Sequence, residues 1–250
     1  MSEEQQYPSE VIDLPSGGKI YGKDSPLSEG KIEIKYMTAK EEDILTSQNL
    51  IKKGIVLEKL LDSLIVTKGV KSSDLLIGDK NAIMVAARIL AYGAEYTASI
   101  QNPNTGEFFE HTFNLAQCPF KHIPDDVDIS ENSFEMELPV LKKKIKFKLL
   151  TGKEENLIST DMDALKKTGV SSAVTTRLRH TILSVDDNDD KSYINSFVNN
   201  MLSRDSLALR KEILRITPDI VLEQEVDVEG ESVKVDIPLT VNFFWPSAEG

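Results

Sequence analysis

One sixteen-residue pattern occurs twice in this chain, and it constrains the fold more than any other feature. Residues 145–160, IKFKLLTGKEENLIST, follow residues 32–47, IEIKYMTAKEEDILTS, at an offset of 113 positions. Six positions are identical, and the apolar positions match in character. Each copy opens on alternating apolar and polar residues, the mark of a strand with one buried face. Each then carries Thr-x-x-Glu, at Thr38 with Glu41 and at Thr151 with Glu154. In such a capping box the hydroxyl accepts from an early helical N–H, and the carboxylate reaches back to the cap. The chain therefore has to turn from strand into capped helix twice, in the same way. A strand is predicted over residues 31–37 and a helix over Ala39–Ser47.

The rest follows from periodicity and punctuation. Leu57, Leu60, Leu61 and Leu64 share one face of a predicted helix over 55–66. Asp79 is read as the N-cap of a helix over 80–92 that Gly93 ends. Alternating arms at Tyr96–Ile100 and Phe108–Leu115 flank Asn102-Pro-Asn-Thr-Gly106, a hairpin signature. Further on, helices are predicted over 171–183 and 191–202, with a polar break at Asp186–Asp190 between them. Asp205 is read as the cap of a helix over 206–216 that Pro218 closes. A second hairpin, with arms 220–228 and 232–244, turns at Glu229-Gly230. Gly106 and Gly230 are 124 positions apart. This order of elements gives an α+β fold of two similar tandem units, each made of strand, helices and β-hairpin. The units are expected over 31–125 and 126–250. Residues 1–30, broken by Pro8, Pro15, Gly17, Gly18, Gly22, Pro26 and Gly30, are expected to form an extended N-terminal arm with a short strand near Lys19–Tyr21.

Composition narrows the function class. The 250 residues carry 29 Lys and Arg against 41 Asp and Glu, a net charge of −12. That field disfavours nucleic acid as a main partner, since phosphate binding relies on clustered cations. The one basic cluster, Lys142, Lys143, Lys144, Lys146 and Lys148, alternates in part and reads as the wet face of a strand. No apolar run approaches the roughly 20 residues of a membrane span. The first residues, MSEEQQYPSEV, lack the basic start and apolar stretch of a secretory signal. A single cysteine, Cys118, excludes an intrachain disulfide and fits a reducing compartment.

No motif commits the chain to catalysis. Ser16-Gly17-Gly18-Lys19 lacks the spacing of a phosphate loop and reads as a tight turn. His111, Cys118 and His122 fall within twelve residues but supply one close pair and no fourth ligand, so no metal is assigned. The Asp186–Asp190 run has neither the central Gly nor the Glu at position twelve of a calcium loop. No G-x-S-x-G is present, and no cofactor is expected. What remains favours binding. Phe243, Phe244 and Trp245 form a dense aromatic cluster in a chain otherwise poor in aromatics, and rings of this kind anchor interfaces or close cores. The N-terminal arm, with Tyr21, Pro26 and Leu27, offers a second contact region.

Several stretches together resemble one family. They are Tyr21-x4-Pro26-Leu27-x2-Gly30, Ile34 through Thr38-Ala-Lys-Glu-Glu-Asp-Ile-Leu45, Asp74-Leu-Leu-Ile-Gly-Asp79, Arg88-Ile-Leu-Ala-Tyr-Gly-Ala-Glu-Tyr96 and Pro238-Leu-x-Val-x-Phe-Phe-Trp-Pro246. Over about residues 20 to 246 the chain resembles the baseplate hub and hub-assembly proteins of T-even-type contractile-tailed bacteriophages. The resemblance implies a non-enzymatic morphogenesis protein, either a hub subunit or an assembly factor that departs. Its partners would be other baseplate hub and tail proteins. Its location would be the host cytoplasm during assembly, and the virion if it stays. The competing readings are a tail-associated hydrolase with a non-local site, and a generic acidic adaptor or chaperone. In one place the chain departs from the family pattern. Where members carry Cys-Pro-x-Cys-Gly at the hairpin turn, it has Asn102-Pro103-Asn104-Thr105-Gly106, so a zinc is not carried over.

Overall fold

The computed structural model describes residues 7–129, 131–166, 172–228, 230–239 and 241–244. It is an α+β protein of small antiparallel sheets and helices. Strand β1 (Ser9–Asp13) pairs antiparallel with β2 (Lys31–Lys35), with Ile12 opposite Ile32. Helices α1 (Ala39–Thr46), α2 (Gln48–Lys52) and α3 (Val56–Leu64) follow, then the long α4 (Ile77–Tyr92). A hairpin of β3 (Glu95–Gln101) and β4 (Phe108–Asn114) comes next, then the two-residue β5 (Phe120–Lys121). The second half begins with β6 (Phe134–Glu137) and β7 (Lys144–Phe147). Next come α5 (Gly152–Lys166), α6 (Ala173–Thr181) and β8 (Ile182–Val185), which joins β7 to make a three-stranded sheet. Helices α7 (Lys191–Asn199) and α8 (Ser203–Ile216) lead to β9 (Asp219–Ile220), and then to the hairpin of β10 (Glu223–Val228) and β11 (Glu231–Asp236).

The repeated sequence makes repeated structure. β2 runs into α1 through Thr38, and β7 runs into α5 through Thr151. Each strand is also the second of an antiparallel pair. In both pairs a Leu-Pro turn follows the first strand: Leu14 N donates to Gly30 O at 2.8 Å, and Leu138 N donates to Lys143 O at 2.9 Å. The likeness therefore starts before residue 32, in the first strand of each pair, β1 and β6, of which only β6 alternates in sequence.

Two expectations need correction. Over its described part, residues 7–30 are not a free extended arm. The strand lies at Ser9–Asp13, whereas Lys19–Tyr21 is part of a turn. Leu14 and Leu27 are buried in the core, and these side chains fix the segment in place. Gly17 and Gly18 take positive φ, and a Cβ on Gly18 would fall 2.3 Å from the Ser28 carbonyl oxygen, so the turn closes on backbone. The second correction concerns the hairpins. Buried apolar side chains fall into two clusters, but these do not divide near residue 125. The first joins residues between Leu14 and Cys118 to Ile220, Val226, Val233, Val235, Ile237, Phe243 and Phe244. The second draws on Ile123 through Ile216, with Ile20 and Leu76. The second hairpin thus completes the first core. Its alternation shows which residues are buried, but the partner comes from tertiary packing.

Candidate interaction surfaces and the junction between the cores

The start of α4 is where the two clusters meet. Leu76 forms a bridge with Thr151, and Gly152 N donates to Leu75 O at 2.9 Å. Gly78 lies so close to β9 that a Cβ there would stand 1.9 Å from Pro218 O. Asp79 is fully buried in the first turn and does not act as the cap. Its carboxylate accepts from Ser16 N at 3.0 Å and from the Tyr21 hydroxyl at 2.6 Å. The same hydroxyl accepts from Leu76 N at 2.9 Å. Burial pushes the Asp79 carboxyl up, against the lowering effect of Tyr21 and Ser16, and nearby Asp219 adds to the rise. Asn81 ties Asp219 to the same helix, Nδ2 to Oδ1 at 3.0 Å.

Arg88 does a similar job at the other end of α4. It is 4% exposed, stacks over Tyr92 and Tyr96, and donates to three carbonyls. Nε donates to Phe243 O at 3.1 Å, Nη1 to Gly93 O at 3.2 Å and Nη2 to Glu95 O at 3.5 Å. A cation at a helix C-terminus satisfies carbonyls that have no helical partner. Here it also stitches the short 3-10 turn Val241–Phe244 to that end.

This arrangement decides what the expected contact residues do. Phe243 and Phe244 are 0% and 1% exposed. Their rings meet edge to face at 5.3 Å, and Phe243 meets Tyr96 at 4.9 Å. They close the first core, so the surface role expected of them is corrected to a core role. Leu27 is buried as well, and Tyr21 is engaged with Asp79. Pro26 is exposed. Trp245 lies outside the described residues.

The residues weighed for metal binding have separate occupations. His111 packs edge to face on Phe113 at 4.7 Å. Cys118 accepts from Gln224 Nε2 at 3.3 Å, and burial pushes its thiol up. His122 Nδ1 lies 2.9 Å from Pro15 O. Among the described residues, no group of three or more His, Cys, Asp or Glu is placed to hold a metal. At the hairpin tip, Asn102 follows the last residue of β3. Its Oδ1 accepts from Asn104 N at 2.8 Å, and its carbonyl accepts from Gly106 N at 2.8 Å, so the turn is closed by an amide.

The charged stretches are neutralised locally. Lys144 pairs with Glu135 at 2.8 Å, Lys143 with Asp186 at 2.5 Å and Lys148 with Glu154 at 2.8 Å. In the aspartate run, Asp186 also accepts from Lys144 N at 2.9 Å, and Asp190 caps α7 by accepting from Tyr193 N at 2.7 Å. No helix among the described residues is long and apolar enough to cross a membrane.

Comparison with known protein families matches residues 7–245 to the family described as T4 bacteriophage base plate protein. The chain belongs to that family. The match spans both clusters and both hairpins, so the baseplate role applies to the molecule as a whole. No curated protein and no solved structure matches the chain.

Sequence reasoning missed the buried roles of Asp79, Asp205 and Arg88. The signal available for the aspartates was their place in a helix first turn, which capping chemistry also explains. For Arg88 it was the Gly93 helix stop five residues later together with Tyr92 and Tyr96.

Proposed function

We propose that this baseplate family member is a non-enzymatic component of the tail baseplate hub, either a resident subunit or an assembly factor, that acts through protein–protein contacts. The observation that carries the reading is the family match over residues 7–245, joined to the use made of the buried polar groups. Glu41, Asp79, Arg88 and Asp205 are committed to backbone and side-chain partners that join distant segments. Polar groups used in this way rigidify a scaffold. The two helix-bearing units would serve as twin docking modules, with Trp245 and the exposed loop around Pro26 as contact points. Its partners are other baseplate hub and tail proteins, and it works in the host cytoplasm during assembly, staying in the virion tail if it is a resident subunit.

The test is quantitative mass spectrometry on purified particles and on infected-cell lysate, beside a phage lacking the gene. A fixed low copy number in particles identifies a hub subunit. Presence in lysate and absence from particles identifies an assembly factor. Normal tails made without the protein overturn the reading.

A further inference from the structure

An apolar cleft of about 520 Å³ opens between α6 and α8, beside the start of α4. It lies where the two clusters meet, and its floor includes Leu76 and Leu178. Its apolar surface does not stop at the cavity mouth. Val174 on α6 is 45% exposed and Leu214 on α8 is 69% exposed, and both line it. Leu207, also exposed, continues the same face of α8. Leu207, Arg210 and Leu214 are spaced i, i+3 and i+7, so they form one stripe about 10 Å long.

The charges on the rim differ in a way that points to a partner. Arg177 donates through both terminal nitrogens to Glu155 and is already paired. Arg210 lines the cleft, and its Nε donates only to Ser206 O, at 3.4 Å. Its guanidinium stands between two exposed leucines with no carboxylate partner among the described residues. It selects an occupant with a carboxylate at that point. A second copy would bring the same net negative charge against this one, which opposes self-association.

We propose that the cleft and the Leu207–Arg210–Leu214 stripe are a docking groove for an amphipathic helix of another baseplate protein. The apolar residues of that helix fill the cleft, and an Asp or Glu within a turn of them meets Arg210. This is the helix-in-groove mode of recognition, with apolar anchors giving affinity and the charge fixing register. The proposal rests on the reading of the protein as a contact-forming baseplate component.

The test places a photo-cross-linking side chain at position 214 of the full chain, made during phage infection, and sequences the cross-linked peptide. The expected product is an amphipathic segment of another baseplate protein with an acidic residue beside its apolar ones. A cross-link only to a second copy, to a segment without an acid, or to nothing overturns the groove. Arg210→Glu should lower complementation of a gene-deleted phage about tenfold or more, the effect of losing one well-placed contact. Reversing the partner's acid to Lys should restore it. Leu214→Glu, at an exposed site, should act in the same direction with unchanged thermal unfolding. If both variants complement fully while the deletion blocks tails, the groove alone falls. If the deletion itself makes normal tails, the baseplate reading falls with it.

Discussion

The two strand-to-helix segments share the same machinery but differ in depth. Glu41 Oε2 accepts from Thr38 N at 2.9 Å and from the Thr38 hydroxyl, while Oε1 accepts from Lys35 Nζ at 2.7 Å. Glu154 Oε2 accepts from Thr151 N at 2.9 Å and from the Thr151 hydroxyl, and Oε1 accepts from Lys148 Nζ at 2.8 Å. The difference is one added donor, Ser63 of α3, at 2.6 Å from Glu41. With it the Glu41 side chain is closed off completely, whereas that of Glu154 keeps 17% exposure. The long helices differ in their donors and not in depth. Asp79 and Asp205 are each the third residue of a long helix, and each is fully buried. Asp205 accepts from two backbone amides, Val140 N at 2.8 Å and Leu141 N at 3.2 Å. Asp79 accepts from one amide and one phenol. The first region has become a junction that other parts of the chain cover. In the second, the capping glutamate has stayed partly open to solvent.

The sharpest way to break this contrast is at the residue before each aspartate. Gly78 has the backbone of Pro218 and Asp219 against it, while the matching position before Asp205 is the exposed Arg204. Gly78→Ala sets a methyl against backbone that cannot rotate away. It should cost about 3 kcal/mol or more, at the upper end for overpacking. Arg204→Ala should stay within about 0.5 kcal/mol. Thermal or urea unfolding of the two variants decides it. Equal losses would mean that the start of α4 is no more enclosed than that of α8.

This asymmetry was only partly legible in the sequence. The strand, capping box and helix could be read twice because their signals are local: alternation, Thr-x-x-Glu, and a helical apolar stripe. The β3–β4 hairpin was legible for the same reason, since its turn residues lie between its arms. β8 was not. Ile182–Val185 continues directly from a helical stretch, and only its pairing with β7 makes it a strand, so the helix expected to run to 183 ends at Thr181. β5 and β9 are two residues each and exist through one another across about a hundred positions. β1 carries two adjacent apolar residues, Val11 and Ile12, and no alternation to betray it. The roles of Phe243 and Phe244 depend on Arg88, 155 positions from Phe243, which no local pattern connects. What escaped the sequence is long-range pairing, and the interaction surfaces depend on that pairing most.

The two glutamates sharpen the comparison further. At Glu41 burial raises the carboxyl, but the bonds from Lys35, Ser63 and Thr38 outweigh it and hold it at about 2, against an ordinary 4.5. At Glu154 burial is likewise outweighed, by Lys148 and Thr151, again to about 2. A carboxyl held low in the folded state binds protons less readily there than in the unfolded chain. Both groups therefore stabilise the fold above about pH 4.5 and lose that contribution as pH falls toward 2. Glu41→Gln should cost about 3 kcal/mol at neutral pH, because it leaves Lys35 facing a buried site without its counter-charge. Glu154→Gln, with more water at hand, should cost about 1–2 kcal/mol. Each variant should also flatten the acid limb of the stability profile, and by a similar amount, since both carboxyls are held at about 2. Equal costs at neutral pH would show that the added Ser63 bond and the deeper burial make no energetic difference.

At Tyr21 a modest effect is expected, and its pH dependence should run the opposite way. Asp79 differs from the glutamates in that burial wins and its folded-state carboxyl sits above the ordinary range. Stability from this group is present at low pH and falls as pH rises through the folded value, since the unfolded chain gives up the proton first. Tyr21→Phe removes a donor that lowers Asp79, so the carboxyl should rise further and the fall should extend to higher pH. It also leaves Leu76 N without the hydroxyl that accepts from it. A cost of about 1–2 kcal/mol is expected where the lost bond is to a carboxylate, and a smaller one as the pH falls and Asp79 takes up its proton. Asp205 provides the control. Its donors are backbone amides, so no side-chain change at Val140 or Leu141 should reproduce the pattern. Unfolding free energies of Tyr21→Phe and Val140→Ala between pH 4 and 7 separate the cases. A cost for Tyr21→Phe that stays flat with pH, or a matching slope for Val140→Ala, would mean that the phenol fills space at the junction without carrying charge.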